Sequence, residues 1–168
     1  MGTHAADHID AILDQWRRER PDLDVAPMGI LGRLFLVVHR ADAALAEGLA
    51  VFDLQPGWFE LLAPLRRAGA PYELNPTQLM RATMLSSGGI TKRLDRLAEV
   101  GLVERRPDPG DRRGTLVRLT RRGKATIDKA VAAHVANEEA LLRCFTDAER
   151  GELDGLLRTF LAGLEEGG

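Results

Sequence analysis

Residues 75–122 hold the densest set of side chains able to recognise an anionic partner. Hydroxyl groups, amides and cations recur there at helical spacing, and arginines follow in a segment rich in Pro and Gly. Residues 86–124 contain 11 Lys+Arg and 5 Asp+Glu, a net charge of +6, whereas the other residues contain 12 and 20 and carry −8. A cationic segment on an acidic body is typical of a nucleic-acid-binding protein.

The rest of the chain offers little reactive chemistry. It contains no nucleophile elbow, no P-loop and no Cys/His metal spacing, and His39 and His134 read as lone residues on long helices. His4 and His8 are four residues apart, but only Asp7 accompanies them, which favours a solvated terminus over a metal site. We therefore predict that the chain is not an enzyme and holds no metal or cofactor.

The composition predicts a soluble, cytoplasmic protein. At 168 residues with 45% apolar content, the chain fits one core-bearing domain with helical extensions. It shows no signal peptide and no apolar run of about 18 residues, so no membrane partner is expected. Cys144 is the single cysteine, which excludes an intrachain disulfide. We expect a buried apolar thiol there, with a redox-sensing thiol as the alternative.

Apolar periodicity predicts the helices on either side of this segment. A short helix carries residues 9–16 and a long helix runs from Pro27 to about Val51; a third covers 58–68 with Pro64 inside it. Two amphipathic helices follow the segment, with N-caps expected at Thr120 and Thr146. Their apolar stripes need a partner surface, and a two-fold copy of the chain is the commonest one.

Within residues 75–122, two short helices precede a basic hairpin. Asn75 is the expected N-cap of the first helix, which should end near Met84, and Ser86 or Ser87 should cap the second, which ends at Gly101. Such a pair can place one helix in a DNA major groove.

The hairpin should consist of strands 103–106 and 116–119, joined by a loop over 107–114 whose Pro and Gly residues form a wing tip. The predicted fold class is mainly α with a small β-wing (α+β), a winged helix-turn-helix with N- and C-terminal dimerisation helices. The expected domains are dimerisation helices over 1–54, the DNA-binding domain over 55–120 and dimerisation helices over 121–168.

Four motifs in this segment carry a resemblance that extends over nearly the whole chain. They are SSGGITKRLDRL at 86–97, GLVERR at 101–106, DPGDRRG at 108–114 and VRLT at 117–120. Together with the order of helices they closely resemble MarR-family transcriptional regulators. The resemblance implies a homodimer on a pseudo-palindromic operator of double-stranded DNA, usually a repressor released by a small ligand.

Chemistry and resemblance together predict the DNA-contacting residues. Short donors and a cation on the outer side of the second helix suit base edges, and groups at the preceding N-terminus suit phosphates. Gly89 lets backbone N–H groups approach DNA closely, although a tight interhelix turn explains it equally well. In the family, the position of Asp111 pairs with an arginine and stabilises the wing. The candidates are Ser87, Thr91 and Lys92 for base edges, Thr77, Gln78 and Arg96 for phosphates, Arg112 and Arg113 for a minor groove, and Ser86 and Gly89 as further DNA-contacting residues.

A narrower resemblance concerns ligand sensing. The extra N-terminal helix with a Trp, followed by RPDLD at 20–24, resembles the urate-responsive, PecS-like branch. That branch's ligand-responsive set corresponds here to Trp16, Glu60, Arg93 and Arg105. Arg93 and Arg105 are therefore expected to face inward, toward the protein's own crevice. Glu60 departs from the Asp of the urate sensors, which leaves urate, another purine or a phenolic acid as candidate ligands.

Helical geometry supports an inward role for Arg93 independently. It lies about 300° around the helix from the buried Ile90, beside the core face, whereas Lys92 lies at about 200°. An inward arginine needs a carboxylate or an anionic ligand, and Glu60 is the expected partner. A purely structural salt bridge remains the alternative, as does a dimer-core role for Trp16. A redox regulator and a ligand-independent architectural dimer are the alternative functions.

Overall fold

The computed structural model describes residues 5–55, 57–83 and 89–167, and only the backbone of Arg112 and Arg113. Within these ranges the chain is mainly helical with one small antiparallel sheet, which confirms the predicted fold class. The elements are α1 (His8–Glu19), α2 (Ala26–Ala50), α3 (Phe59–Arg67), β1 (Glu73–Leu74), α4 (Pro76–Ala82), α5 (Ile90–Glu99), β2 (Val103–Asp108), β3 (Asp111–Leu119), α6 (Arg121–Leu142) and α7 (Asp147–Glu166).

The chain divides into two compact units, residues 1–44 and 45–168. In the first unit α1 packs closely on the start of α2 because two glycines leave room for it. A β-carbon added to Gly29 would lie 3.0 Å from Leu13, and one added to Gly32 would lie 3.3 Å from Ile9. Leu13 is buried in this contact. Close packing against these two glycines therefore helps to position α1 on α2.

An ionic cluster holds the start of α1. Asp7 caps the helix and forms a capping box with Asp10. Arg33 of α2 donates from Nε to Asp7 Oδ2 (2.8 Å) and from Nη2 to Asp10 Oδ1 (2.5 Å). The hydrogen bond from Arg33 lowers the pKa of Asp7 below its ordinary value. The pKa of Asp10 is also lowered, mainly by the hydrogen bond from the backbone N–H of Asp7 and next by the hydrogen bond from Arg33.

Acid is therefore expected to loosen α1. Because both carboxyl pKa values are lowered in the folded chain, their stabilisation is complete above about pH 4, the unfolded value, and is lost as pH falls through the lowered values. Amide hydrogen exchange of residues 8–19 should report this loss. Arg33→Gln should reduce protection of α1 at neutral pH and flatten its acid dependence, whereas Arg18→Gln should change neither. Equal protection in the Arg33 variant and the wild type would contradict the assignment.

The second unit is built on a leucine-rich core between α3, α5, α6 and the sheet. Pro64 lies inside α3, as expected, and is itself buried. Arg66 of α3 pairs with Asp128 of α6 (2.5 Å), which joins the two helices at the edge of the core. The fully buried side chains include Leu61, Leu62, Leu65, Leu79, Leu97, Ile127 and Val117.

The sheet contains a strand that the sequence does not predict. Residues 69–74 read as a linker, but Glu73 and Leu74 form β1 and pair antiparallel with Arg118 and Val117 of β3. The strand order is β1-β3-β2, so β3 is central. A two-residue strand has no periodicity of its own, which is why it escapes a pattern-based prediction.

The predicted loop over 107–114 is wrong. Strand β2 continues to Asp108 and β3 begins at Asp111, which leaves a turn at residues 109–110. Pro107 is accommodated because β2 is an edge strand with a register shift between Pro107 and Asp108. Gly114 is required for packing, since an added β-carbon would lie 2.9 Å from the β-carbons of Asp108 and Asp111.

Both C-terminal helices have the predicted N-caps. Thr120 Oγ1 accepts from the N–H of Gly123 (2.9 Å), and Thr146 forms a capping box with Glu149. Cys144 is exposed in the connection between α6 and α7, so the expectation of a buried thiol is wrong for the chain as described. Among the described residues, no helix has the length and apolar character needed to cross a membrane.

Candidate nucleic-acid interface

Helix α4 is positioned at both ends by hydrogen bonds. The backbone N–H of Asn75 donates to Gln78 Oε1 (3.0 Å), and that of Gln78 donates to Asn75 Oδ1 (2.8 Å), which confirms the predicted cap. At the other end Arg67 of α3 donates to the carbonyl of Ala82 (3.0 Å). Thr77 and Gln78 are exposed in the first turn. Since Gln78 uses only its oxygen for the cap, its NH₂ group keeps its donors.

Helix α5 separates buried from exposed side chains sharply. Leu94 and Leu97 are buried with Ile90, whereas Thr91 and Lys92 are exposed. The N-cap is Gly89, with φ of +96° and no side-chain cap, so the predicted serine cap is wrong. Ser86 and Ser87 lie outside the described residues.

The outer charges of α5 differ in how far they are already neutralised. Arg96 pairs with Glu99 (2.6 Å), but both side chains are about 60% exposed, so the pair is weak and open to competition by phosphate. Lys92 has no ion-pair partner among the described side chains. It is the cation of this face most available to DNA.

The β2–β3 hairpin gives the wing a defined shape. The N–H of Gly110 donates to Asp108 Oδ1 (2.8 Å) in the turn, and Asp108 lies opposite Asp111. The backbones of Arg112 and Arg113 belong to β3 just after this turn, while their side chains lie outside the description. Both arginine positions therefore lie close to the tip of the hairpin.

Arg93 turns inward, in agreement with its position on the helix. Its side chain is partly buried and crosses Gly57 in the turn before α3, where an added β-carbon would lie 2.8 Å from Arg93 Nε. Gly57 also has φ of +82°. The turn thus requires glycine for its backbone conformation and for the passage of the guanidinium.

Glu60 is left with an unsatisfied acceptor. It lies in the first turn of α3, and its Oε2 is buried without a hydrogen-bond partner in the described part of the chain. The expected ion pair between Glu60 and Arg93 is not formed between these two described residues. A buried carboxylate oxygen without a donor is costly, and such groups often mark a site that a ligand or water completes.

Arg105 does not face inward as expected. It donates from Nη2 to Asp95 of α5 (2.7 Å), and the two side chains are 43% and 50% exposed. This exposed ion pair joins strand β2 of the wing to helix α5. Trp16, the fourth residue of the predicted ligand set, lies on α1 in the first unit and is 42% exposed.

His134, which reads as a lone residue in the sequence, packs against Phe59 at the margin of the core. Its ring lies 4.4 Å from that of Phe59, the neighbour of Glu60, and its Nε2 is 3.2 Å from Glu138. Its Nδ1 is buried without a hydrogen-bond partner among the described residues. Its position could have been inferred from spacing, because His134 follows the buried Ile127 by seven residues and lies on the same face of α6.

Helix α4, helix α5 and the hairpin define a winged helix-turn-helix. Residues 52–114 match the sequence profile of the MarR family. The chain is 42% identical to the HTH-type transcriptional regulator PecS of Dickeya dadantii, over 89% of this chain and 90% of the relative. The chain therefore belongs to the MarR family of transcriptional regulators, which confirms that it is a regulator and not an enzyme.

Solved structures support the same assignment. A MarR variant from E. coli in complex with operator DNA aligns with a TM-score of 0.70 and 30% identity, over 87% of this chain and 97% of that one. BpsR of Bordetella bronchiseptica, a protein whose DNA binding is regulated by 6-hydroxynicotinic acid, aligns with a TM-score of 0.68 and 25% identity, over 77% and 90%.

Proposed function

We propose that the chain is a repressor that binds a pseudo-palindromic operator as a homodimer and is released by a small anionic aromatic ligand, such as urate or a phenolic acid. The observation that carries the DNA-binding part is α5, where Thr91, Lys92 and Arg96 are exposed above a buried leucine face. A dimer would place two such helices in successive major grooves, about 34–36 Å apart.

Each part of the interface has a distinct role in this proposal. Residues of α5 read base edges, the ends of α4 and α5 hold phosphates, and the wing enters a minor groove. The E. coli MarR variant was solved in complex with operator DNA, which supports DNA binding by this fold. The base-reading set is Ser87, Thr91 and Lys92; the phosphate set is Thr77, Gln78 and Arg96; the wing set is Arg112 and Arg113, with Asp111 stabilising the wing; Ser86 and Gly89 are further DNA contacts.

Unpartnered apolar side chains support the homodimer. On α2, Ile30 is 71% exposed and Phe35 is 68% exposed, and α7 has no buried residue at all. Large exposed apolar patches mark interaction surfaces, and a two-fold copy is the commonest partner. We assign residues 1–54 and 121–168 to dimerisation. Further exposed members are Leu31, Val38, Val135, Leu156, Leu161 and Leu164.

The ligand is proposed to bridge Glu60 and Arg93. Because these groups do not pair with each other, a molecule with an anionic group for Arg93 and an N–H or O–H donor for Glu60 Oε2 would satisfy both. Urate and phenolic acids carry both kinds of group. The proposal rests on Glu60 and Arg93, because Arg105 is engaged outward with Asp95 of α5. The regulation of BpsR by an aromatic acid supports this ligand class.

Glu60→Ala is expected to impair release more than DNA binding. The substitution removes the acceptor that the ligand would satisfy and leaves α4, α5 and the wing unchanged. The apparent ligand concentration for half-release should rise roughly tenfold, as for a lost charge-assisted hydrogen bond, while operator affinity changes little. Glu152→Ala, which removes an exposed carboxylate from α7, is the matched control. Normal release of the Glu60 variant would remove this residue from the ligand site.

A gel shift tests the function as a whole. The probe is DNA flanking the chain's own gene, titrated with protein in the presence of urate, purines or aromatic acids. We expect a shift that one of these compounds reverses. A shift that no compound reverses would instead support the architectural dimer, and one that responds only to oxidant, and not in Cys144→Ser, would support the redox alternative.

A further inference from the structure

A separate cleft of about 230 Å³ lies between the turn after α2 and the first turns of α6. Its α6 members occupy positions i, i+3, i+4 and i+7 and therefore share one helical face. Its lining residues lie within the segments assigned to dimerisation, but none of them belongs to the proposed DNA-contacting or ligand-binding sets. They are Phe52, Asp53, Arg122, Ala125, Thr126 and Lys129.

The cleft contains charges of both signs that do not neutralise each other. Asp53 forms no ion pair with Arg122 or Lys129 among the described residues, although all three line the same cleft. Lys129 has no ion-pair partner elsewhere in the described chain. A carboxylate and two cations separated by an open space match a molecule that carries both a cation and an anion.

The other lining groups narrow the class of ligand. Phe52 is partly exposed and offers an apolar ring face, while Thr126 supplies a hydroxyl group that donates or accepts. The volume is below that of a drug-sized pocket and suits a small metabolite. An α-amino acid combines an ammonium, a carboxylate and a compact side chain within that size.

One lining residue also contacts the DNA-reading helix. Arg122 Nη1 donates to the carbonyl of Val100 (2.8 Å), and Val100 is the C-cap of α5. A guanidinium has five N–H donors, so Arg122 can bind a carboxylate and this carbonyl at once or exchange one for the other. This contact provides a physical path between the cleft and the C-terminal end of α5, and any coupling along it must be reciprocal.

We infer that this cleft binds a free α-amino acid, with its ammonium at Asp53, its carboxylate at Arg122 and Lys129, and its side chain against Phe52. Binding changes operator affinity through the Arg122–Val100 contact. The binding step is independent of the proposed function, and the effect on operator affinity rests on it.

Thermal shift and calorimetry on the full-length protein test the binding step, with the twenty protein amino acids supplied one at a time. At least one should raise the melting temperature, because a ligand of the native state stabilises it. Acetate and methylammonium, which each carry one of the two charges, should not. Failure of all twenty, or an equal effect of acetate, would overturn the proposal.

Two variants locate the site. Asp53→Asn removes the charge and keeps a residue that tolerates φ of +56°, and Lys129→Ala removes a cation. Each should weaken calorimetric binding roughly tenfold or more, the loss expected for a charge-assisted hydrogen bond. Asp42→Asn, an exposed position on α2, should bind normally. Unchanged binding in either cleft variant would exclude this location.

Operator titrations with and without the active amino acid test the coupling. Wild type should change its operator affinity, whereas Arg122→Lys, which keeps the charge but loses the forked donors, should still bind the amino acid with a smaller change. If the amino acid changed operator affinity equally in this variant and in the wild type, Arg122 would not transmit the effect of binding to α5. If the chain failed to bind its operator, the proposed function would be wrong. The calorimetric measurement of amino-acid binding to the cleft would be unaffected.

Discussion

Replacing Gly123 with alanine is expected to lower the free energy of unfolding by about 3 kcal/mol or more, at the upper end of overpacking costs. A β-carbon at Gly123 would lie 1.8 Å from the carbonyl oxygen of Leu102 and 2.8 Å from its carbon. That oxygen also accepts from the N–H of Thr120 (3.1 Å), so it cannot move away without disturbing the start of α6. The melting temperature should fall by roughly 6–12 °C in a chain of this length.

Gly151 provides the matched control. It lies in α7 with open space around it, so Gly151→Ala adds the same methyl group without a collision. Because alanine is the better helix former, this variant should gain about 0.5–1 kcal/mol. Urea denaturation at one fixed protein concentration compares the two, since dimerisation makes stability concentration-dependent. Equal effects of the two substitutions would show that α6 does not pack on Leu102 in this way.

Lys92→Ala is expected to lower operator affinity by about 1–3 kcal/mol per half-site, the range for a base-edge contact. Lys92 is exposed on the outer face of α5 and is not engaged by another described side chain, so its charge is available to DNA. Binding to unrelated DNA should fall much less. The ratio of operator to unrelated DNA affinity, measured at one salt concentration, is therefore the decisive quantity.

Arg96→Ala separates base reading from phosphate binding on the same helix. Loss of a phosphate contact weakens binding to all sequences alike and reduces the slope of log affinity against log salt by about 1 per subunit. Arg18→Ala removes the same charge from α1, outside the helix-turn-helix, and should leave that slope unchanged. If Lys92→Ala behaved like Arg96→Ala, Lys92 would be a phosphate contact and not a base reader.

Features determined by neighbouring residues could be predicted from the sequence. The caps at Asn75, Thr120 and Thr146 depend on side chains within three residues of each helix start, and all three are confirmed. The extent of the wing strands could not be predicted in this way. Pro107 suggests a loop locally, but its edge position in the sheet depends on pairing with distant residues.

The candidate site shows the same division. Helical periodicity places Arg93 inward, yet the atoms it meets belong to the turn at Gly57, which no local pattern connects to α5. Arg105 was expected to face inward, and only the packing of β2 against α5 reveals its pair with Asp95. Cys144 reads from the sequence as part of a helix, but α6 ends at Leu142 and the thiol is exposed in the connection that follows. Contacts between side chains that are far apart in the sequence can be identified only from the three-dimensional structure.

Strand β1 connects the base of the wing directly to the start of α4. Its two residues bond to Arg118 and Val117 of the central strand, and the next residue, Asn75, caps α4. Strand β3 therefore connects the hairpin tip to the first turn of α4 through these backbone hydrogen bonds. In the proposed complex, the depth of the wing in a minor groove and the angle of α4 on the phosphates should therefore change together. DNA whose minor groove is too wide for the tip would be rejected by the helices as well, even where every base they read is correct.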